Sequence, residues 1–445
     1  MSALAELGVV EAAAAVQTRT ASSVELVRAL LDRIAATDAR IQAWETVDAD
    51  GALAQARRCD DAALRGHGGP LNGVPVGVKD IYHVAGLPTR AGCPALYDRI
   101  PRDDAEAVRR LRLAGAVILG KTVTTAFATV DPPRTRNPWN LERTPGGSSS
   151  GSAAAVAARQ VPAALGTQTA GSVLRPAAYC GAVGVKPTFG RISRRGVIPL
   201  AWSLDHVGFI VRGVADAAAL LTALAGHDPA DPGSRDRPTE NYLAAVANPA
   251  PPRLAVVEDV LERAEPAVRA HTEQVVIRLL RAGAAVQFVR LPESFERLLA
   301  VHQVILQVET AAVHARLHAE RADDYPPRLR ATVEVGKLIP GEAYLRAQRL
   351  RARLRAEMRA LFERADCLVM PTASNAAPDP STTGDVRFQA IWSLLGWPAL
   401  SLPSGLSAER LPLGLQLVAA PWAESTLLGA ASWCEQQLGR LPGPP

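Results

Sequence analysis

Residues 145–152 read PGGSSSGS and residues 166–172 read GTQTAGS. Serine hydroxyls set among small residues are raw material for acyl transfer, but a hydroxyl is a weak nucleophile and needs a base to take its proton. Gly147-Ser148-Ser149-Ser150-Gly151 matches G-x-S-x-G, the turn that presents a nucleophile between a strand and a helix. The preceding NPWNLERTP is no strand, and no histidine follows His318. His302, His314 and His318 lie on a helical pattern, where a core or solvated histidine is the simpler reading. A phosphate loop fails too, because GGSSSGSA lacks the Gly-Lys-Ser/Thr ending that supplies charge and a magnesium contact.

The base must then be of another type, and a lysine serves if burial lowers its pKa toward neutrality. Lysine is rare in this chain: Lys79, Lys121, Lys186 and Lys337 are the only four among 49 basic residues. Arginine cannot release its proton near neutral pH. A lysine ending the apolar run VPVGVK therefore suits a need for deprotonation, although it can equally snorkel to the surface or pair with an acid. Ser172 lies in a tight Ala-Gly turn; if its loop folds against that of Ser148, one serine can attack while the other relays a proton.

These residues need elements to hold them. Ser22 or Ser23 caps a helix with apolar Val24, Val27, Leu30, Leu31 and Ile34 at helical spacing. The alternating valines 74, 76 and 78 predict a strand, residues 104–114 a helix, and AVILGKT a second strand. From 144 to 200 the chain is rich in Gly, Ser, Ala and Pro, yet AAAVAA and VPAALG are too apolar for a solvated linker, so this stretch reads as close-packed core. RLAVVED, AAVQFV, DCLVMP, PALSLP and LGLQLVA predict further strands. Helices are expected over 266–283, 342–364 and 424–438, and 228–239 reads as a surface loop. This alternation predicts an α/β fold, a mixed central β-sheet covered by α-helices on both faces. With no clear linker, the expectation is one domain over 1–445, with its core about 70–215 and a C-terminal part of the same sheet about 365–438.

At 445 residues and 48% hydrophobic content the chain can bury a large core, and 21% charge excludes a disordered protein. A net charge of +5 with scattered basic residues argues against nucleic-acid binding. The five dispersed cysteines read as reduced, buried thiols. The N-terminus has no signal-peptide pattern, and no run of 18 uninterrupted apolar residues occurs, so no membrane span is expected and the protein reads as soluble and cytoplasmic.

Residues 145–191, GPLNGVPVGVKD at 69–80, and the closing PALSLPSG and LPLGLQLVA together resemble the amidase signature family. The resemblance covers most of the chain. It implies a Ser-cisSer-Lys triad with Lys79 as base, Ser148 as the bridging serine on a cis peptide bond, and Ser172 as nucleophile. It further implies an oxyanion hole of the backbone amides of Thr169, Ala170, Gly171 and Ser172, and needs no metal or organic cofactor. Ser149, Ser150 and Ser152 are left with loop hydrogen bonds, capping or support of the triad; Lys121, Lys186 and Asp205 read as structural, and His206 as non-catalytic. Gln168 stands where Asp is usual, Ala170 where Gly is usual, and Ala126 where Glu often follows the GKT strand. Arg175 lies three positions after Ser172 rather than two, which resembles malonamidase-like members whose arginine holds a substrate carboxylate. The alternative for Arg175 is a structural bond to backbone carbonyls. The expected substrate is a small-molecule amide, carboxylate-bearing and malonamate-like, and the family commonly forms homodimers. The alternatives are the glutaminase component of a tRNA-dependent amidotransferase, working with partner subunits, and a catalytically silent binding protein on the same scaffold.

Overall fold

The computed structural model describes residues 3–445. Its centre is an eleven-stranded mixed sheet, in spatial order Trp44–Val47, Val117–Thr122, Pro75–Lys79, Ala163–Gln168, His206–Val211, Val183–Lys186, Ala399–Leu406, Pro412–Val418, Cys367–Pro371, Arg253–Val257 and Ala285–Val289. Pro75–Lys79 runs parallel to both of its neighbours, Val117–Thr122 and Ala163–Gln168. A strand paired on both edges and covered on both faces is apolar throughout, and every residue of Pro75–Lys79 is buried, Lys79 included.

The glycine- and alanine-rich stretch folds as core. Helix Ser150–Ala157, strand Ala163–Gln168 and helix Leu174–Cys180 are buried along their whole lengths. Small side chains are demanded by close approach: a Cβ on Gly151 would lie 2.2 Å from the Ala43 carbonyl oxygen and 2.4 Å from Val123 N. Gly146 has φ +79, a left-handed conformation that favours glycine.

Elsewhere the expected elements form with shifted ends. Ser22 caps helix Ser23–Ile41 by accepting from Glu25 N, with the Glu25 carboxylate returning to Ser22 N. The expected 342–364 helix is Gly341–Glu357 followed by a 3-10 helix, Met358–Phe362. The five cysteines are free and buried. Residues 293–324 are long and apolar enough, by length and composition alone, to span a membrane, a test that a buried core helix also passes. An uninterrupted-run test misses them because helix Leu298–Arg321 spaces its polar residues along the apolar background. In this fold the buried side of that helix carries His302, Glu309, Thr310 and His314, with Glu309 accepting from Ser203 N (2.8 Å) and Tyr344 OH (2.9 Å).

Candidate active site

Lys79 ends its strand inside the protein, with Nζ 2.7 Å from Ser148 Oγ and 2.9 Å from Thr167 Oγ1. Both contacts are hydroxyls, and no carboxylate forms an ion pair with Lys79 among the described residues. Burial pushes the ammonium well below its usual pKa, against a weaker upward pull from Asp205. Desolvation without a counter-charge favours the neutral amine. Lys79 therefore neither snorkels nor pairs with an acid.

The Gly147–Ser148 peptide bond is cis. The remaining serines of the run tie their loop to the sheet. Ser149 Oγ lies against the Thr167 backbone, Ser152 Oγ donates to the Leu165 carbonyl (2.8 Å), and Ser150 Oγ donates to the Gly146 carbonyl (2.7 Å). Ser149 precedes helix Ser150–Ala157 without a side-chain capping bond.

Ser172 is joined to this loop through its carbonyl, which accepts from Ser149 N at 3.2 Å. Its hydroxyl has no hydrogen-bond partner among the described residues, and none links it to Ser148 Oγ. At 9% exposure Ser172 is the accessible member of the set, against 1% for Ser148 and 0% for Lys79. The backbone N–H groups of Ala170, Gly171 and Ser172 likewise have no acceptor among the described residues. Buried amides are almost always paired; these are free to receive an acceptor.

Gln168, the departure from the usual Asp, still braces this turn. Its Oε1 accepts from Val173 N (2.9 Å) and Leu174 N (3.0 Å), and its Nε2 donates to Ser393 Oγ (3.0 Å). Asp205 accepts from Thr169 Oγ1 (2.5 Å), Leu200 N and Ala201 N, while burial lifts its pKa to about 6. His206 holds a structural position: Nδ1 lies 2.6 Å from the Leu204 carbonyl oxygen, and burial drives its pKa well below the usual value. Lys121 is paired with Asp80 at 2.7 Å, and Lys186 donates to the Trp397 carbonyl.

Arg175 makes the backbone bond weighed for it and keeps two nitrogens free. Its Nη2 donates to the Gly147 carbonyl (2.6 Å) and to Thr383 Oγ1 (3.2 Å), while buried Nε and Nη1 have no partner. A cavity of about 340 Å³ abuts the site through Thr167, Thr169 and Asp205, with Ile198, Leu200 and Trp202 also lining it; Ser172 does not line it. Among the described residues no cluster of three His, Cys, Asp or Glu side chains suits a metal ion. Two contacts with this turn could not be read from the sequence: His302 Nε2 lies 3.0 Å from the Thr169 carbonyl oxygen, and the Ser393 hydroxyl donates to the Ala170 carbonyl (2.7 Å).

A mixed sheet with this serine- and glycine-rich centre defines an amidohydrolase-type α/β protein. The chain belongs to the amidase family: the Amidase family model matches residues 25–428. It is 41% identical to the A-subunit of the glutamyl-tRNA(Gln) amidotransferase of Anaeromyxobacter sp. (strain K), over 99% of this chain and 98% of that one. It is 37% identical to the corresponding protein of Moorella thermoacetica, over 93% of each chain. Among solved structures it matches the peptide amidase of Stenotrophomonas maltophilia (TM-score 0.88, 32% identity, 100% and 99% coverage). It also matches a protein from a vestigial complex that reveals the evolutionary origins of an s-triazine catabolic enzyme (TM-score 0.92, 33% identity, 98% and 100% coverage). The chain is an amidase, acting on carbon–nitrogen amide bonds. The finer expectation of a malonamidase-like member is not supported, since the reported relatives are amidotransferase A-subunits.

Proposed function

We propose that this amidase hydrolyses the primary amide of glutamine through an acyl-enzyme on Ser172, with Ser148 as relay and Lys79 as base, and that partner subunits receive the ammonia. The observation that carries the chemistry is the buried, unpaired Lys79 Nζ 2.7 Å from Ser148 Oγ. The relatives named as amidotransferase A-subunits support the substrate and the partners.

Neutral Lys79 takes the Ser148 proton as Ser148 takes that of Ser172, and Ser172 Oγ adds to the amide carbonyl. The free N–H groups of the 169–172 turn receive the negative oxygen. As the carbon–nitrogen bond breaks, the proton passes back through Ser148 to the leaving nitrogen, which departs as ammonia. Water then cleaves the ester by the same relay, giving the carboxylic acid and free Ser172. Nothing in these steps requires a metal or organic cofactor.

The two unpartnered nitrogens of Arg175 suit a substrate carboxylate, a planar acceptor matched by a guanidinium fork. That feature also fits a second reading, a stand-alone amidase acting on malonamate-like compounds. Both readings place the protein in the cytoplasm; the stand-alone enzyme would work without partner subunits, alone or as a homodimer.

Ammonia release from glutamine, malonamate and neutral amides, measured for the wild type, Ser172→Ala and Arg175→Ala, tests this function. Glutamine hydrolysis lost in Ser172→Ala supports it, and residual turnover in that variant sinks the acyl-enzyme. Higher kcat/KM on malonamate transfers the assignment to the second reading. Equal losses on charged and neutral amides in Arg175→Ala would remove the carboxylate role.

A further inference from the structure

The turn from Thr169 to Ser172 is used on its carbonyl side and idle on its amide side. The Thr169 carbonyl faces His302 Nε2 at 3.0 Å, and the Ala170 carbonyl accepts from Ser393 Oγ at 2.7 Å. The Gly171 carbonyl accepts from Arg175 N at 3.0 Å. These carbonyls belong to the three peptide units whose nitrogens are Ala170, Gly171 and Ser172, the amides without an acceptor. The peptide group is planar and conjugated, so a donor on its oxygen fixes the direction of its N–H and draws electron density away from the nitrogen.

We propose that His302 and Ser393 are positioning residues of the oxyanion hole, aiming and polarising the amides of Ala170 and Gly171 through the carbonyl oxygens of the same peptide units. The inference rests on Ser172 being the nucleophile. His302 comes from helix Leu298–Arg321 and Ser393 from helix Arg387–Leu395, so two separate elements clamp one turn. A carbonyl oxygen only accepts, so His302 carries its proton on Nε2. Burial lowers its pKa to about 4, which keeps the ring a neutral donor. Ser393 is oriented in turn: Gln168 Nε2 donates to its oxygen at 3.0 Å, leaving its proton for Ala170. Through Gln168 the same network reaches Val173 N and Leu174 N at the start of the helix after Ser172.

The test reads Ser172 labelling by a fluorophosphonate, whose phosphoryl oxygen calls on the same donors whichever amide is the natural substrate. Deleting a direct oxyanion donor costs ~10²–10³ in rate. A group acting through a peptide bond should cost less, about 10-fold in kinact for His302→Leu, with KI and the thermal midpoint little changed. His302→Gln places an amide nitrogen where Nε2 was and should recover most of the rate. Ser393→Ala removes a single oxygen atom and should show a loss of the same kind even if His302→Leu folds poorly, with Ser393→Thr restoring the donor. Wild-type kinact in both His302→Leu and Ser393→Ala would overturn the proposal. So would a His302→Gln no better than His302→Leu, or losses confined to KI. Labelling that persists in Ser172→Ala would instead overturn the nucleophile assignment, so the two failures are distinguishable.

Discussion

Lys79 and Lys121 sit on adjacent parallel strands, yet their surroundings are opposite. In the register of these strands Lys121 stands beside Val78, and Lys79 beside Thr122. That offset of one residue sends the two side chains to opposite faces of the sheet. Lys121 meets Asp80 (2.7 Å), Thr89 Oγ1 (3.0 Å) and the Pro88 carbonyl (3.1 Å). Lys79 meets only the hydroxyls of Ser148 and Thr167. Both lose hydration, which lowers both pKa values, but Asp80 opposes the loss at Lys121 far more than distant Asp205 does at Lys79. On the mechanism proposed above, one buried lysine is a base and the other a strut, according to whether a carboxylate lies within reach.

The largest test of that contrast is Lys79→Ala. Loss of an essential base should lower kcat/KM at least ~10³-fold while leaving the urea midpoint close to wild type. Near-wild-type acylation would refute the assignment of the base. Lys121→Met should do the reverse, costing about 3–5 kcal/mol of stability because Asp80 is left buried and unpaired, and Lys121→Met with Asp80→Leu should recover much of it. If the single variant unfolds at wild-type urea, Lys121 is not a strut.

The pH dependence separates the pair further. Acylation should fall on the acid side as Lys79 gains a proton, with an apparent pKa below the ~10.4 of free lysine. A depressed native pKa means the unfolded chain binds a proton that the native state does not, so this group's contribution to stability rises with pH between the native and unfolded values. Wild type should therefore gain on Lys79→Met as pH rises through that window, and parallel stability curves would contradict a depressed Lys79. A smaller effect is expected at Gln168→Ala, which frees Val173 N and Leu174 N: kcat should drop ~3- to 10-fold with KM nearly constant, and a pure KM effect would argue against bracing of the turn.

Much of the site was legible because its chemistry depends on residue type and local context. The scarcity of lysine and the apolar strand around Lys79 made a deprotonated amine one of two even readings, the alternating valines placed it at a strand end, and the family resemblance implied the base. His302 is the buried helical histidine that its spacing suggested, but its partner carbonyl lies 133 residues away and could not be read from that spacing. Gln168 stood out as a departure from the usual acid, but its use as a double acceptor depends on Ser393, 225 residues away. Helix ends were shifted for a local reason: the regular helix begun at Gly341 stops at Glu357 and tightens into a 3-10 turn.

From the sequence alone came the α/β alternation, the core character of the glycine-rich stretch, and the lysine and serines able to do the work, because periodicity, side-chain size and pKa are properties of residues and near neighbours. The tertiary structure alone decided that Lys79 lacks a carboxylate while Lys121 has one, that Arg175 keeps two nitrogens unpaired, and that the amides of one turn stay free while its carbonyls are held. Those outcomes depend on strand register and on contacts between distant segments, which no local pattern encodes.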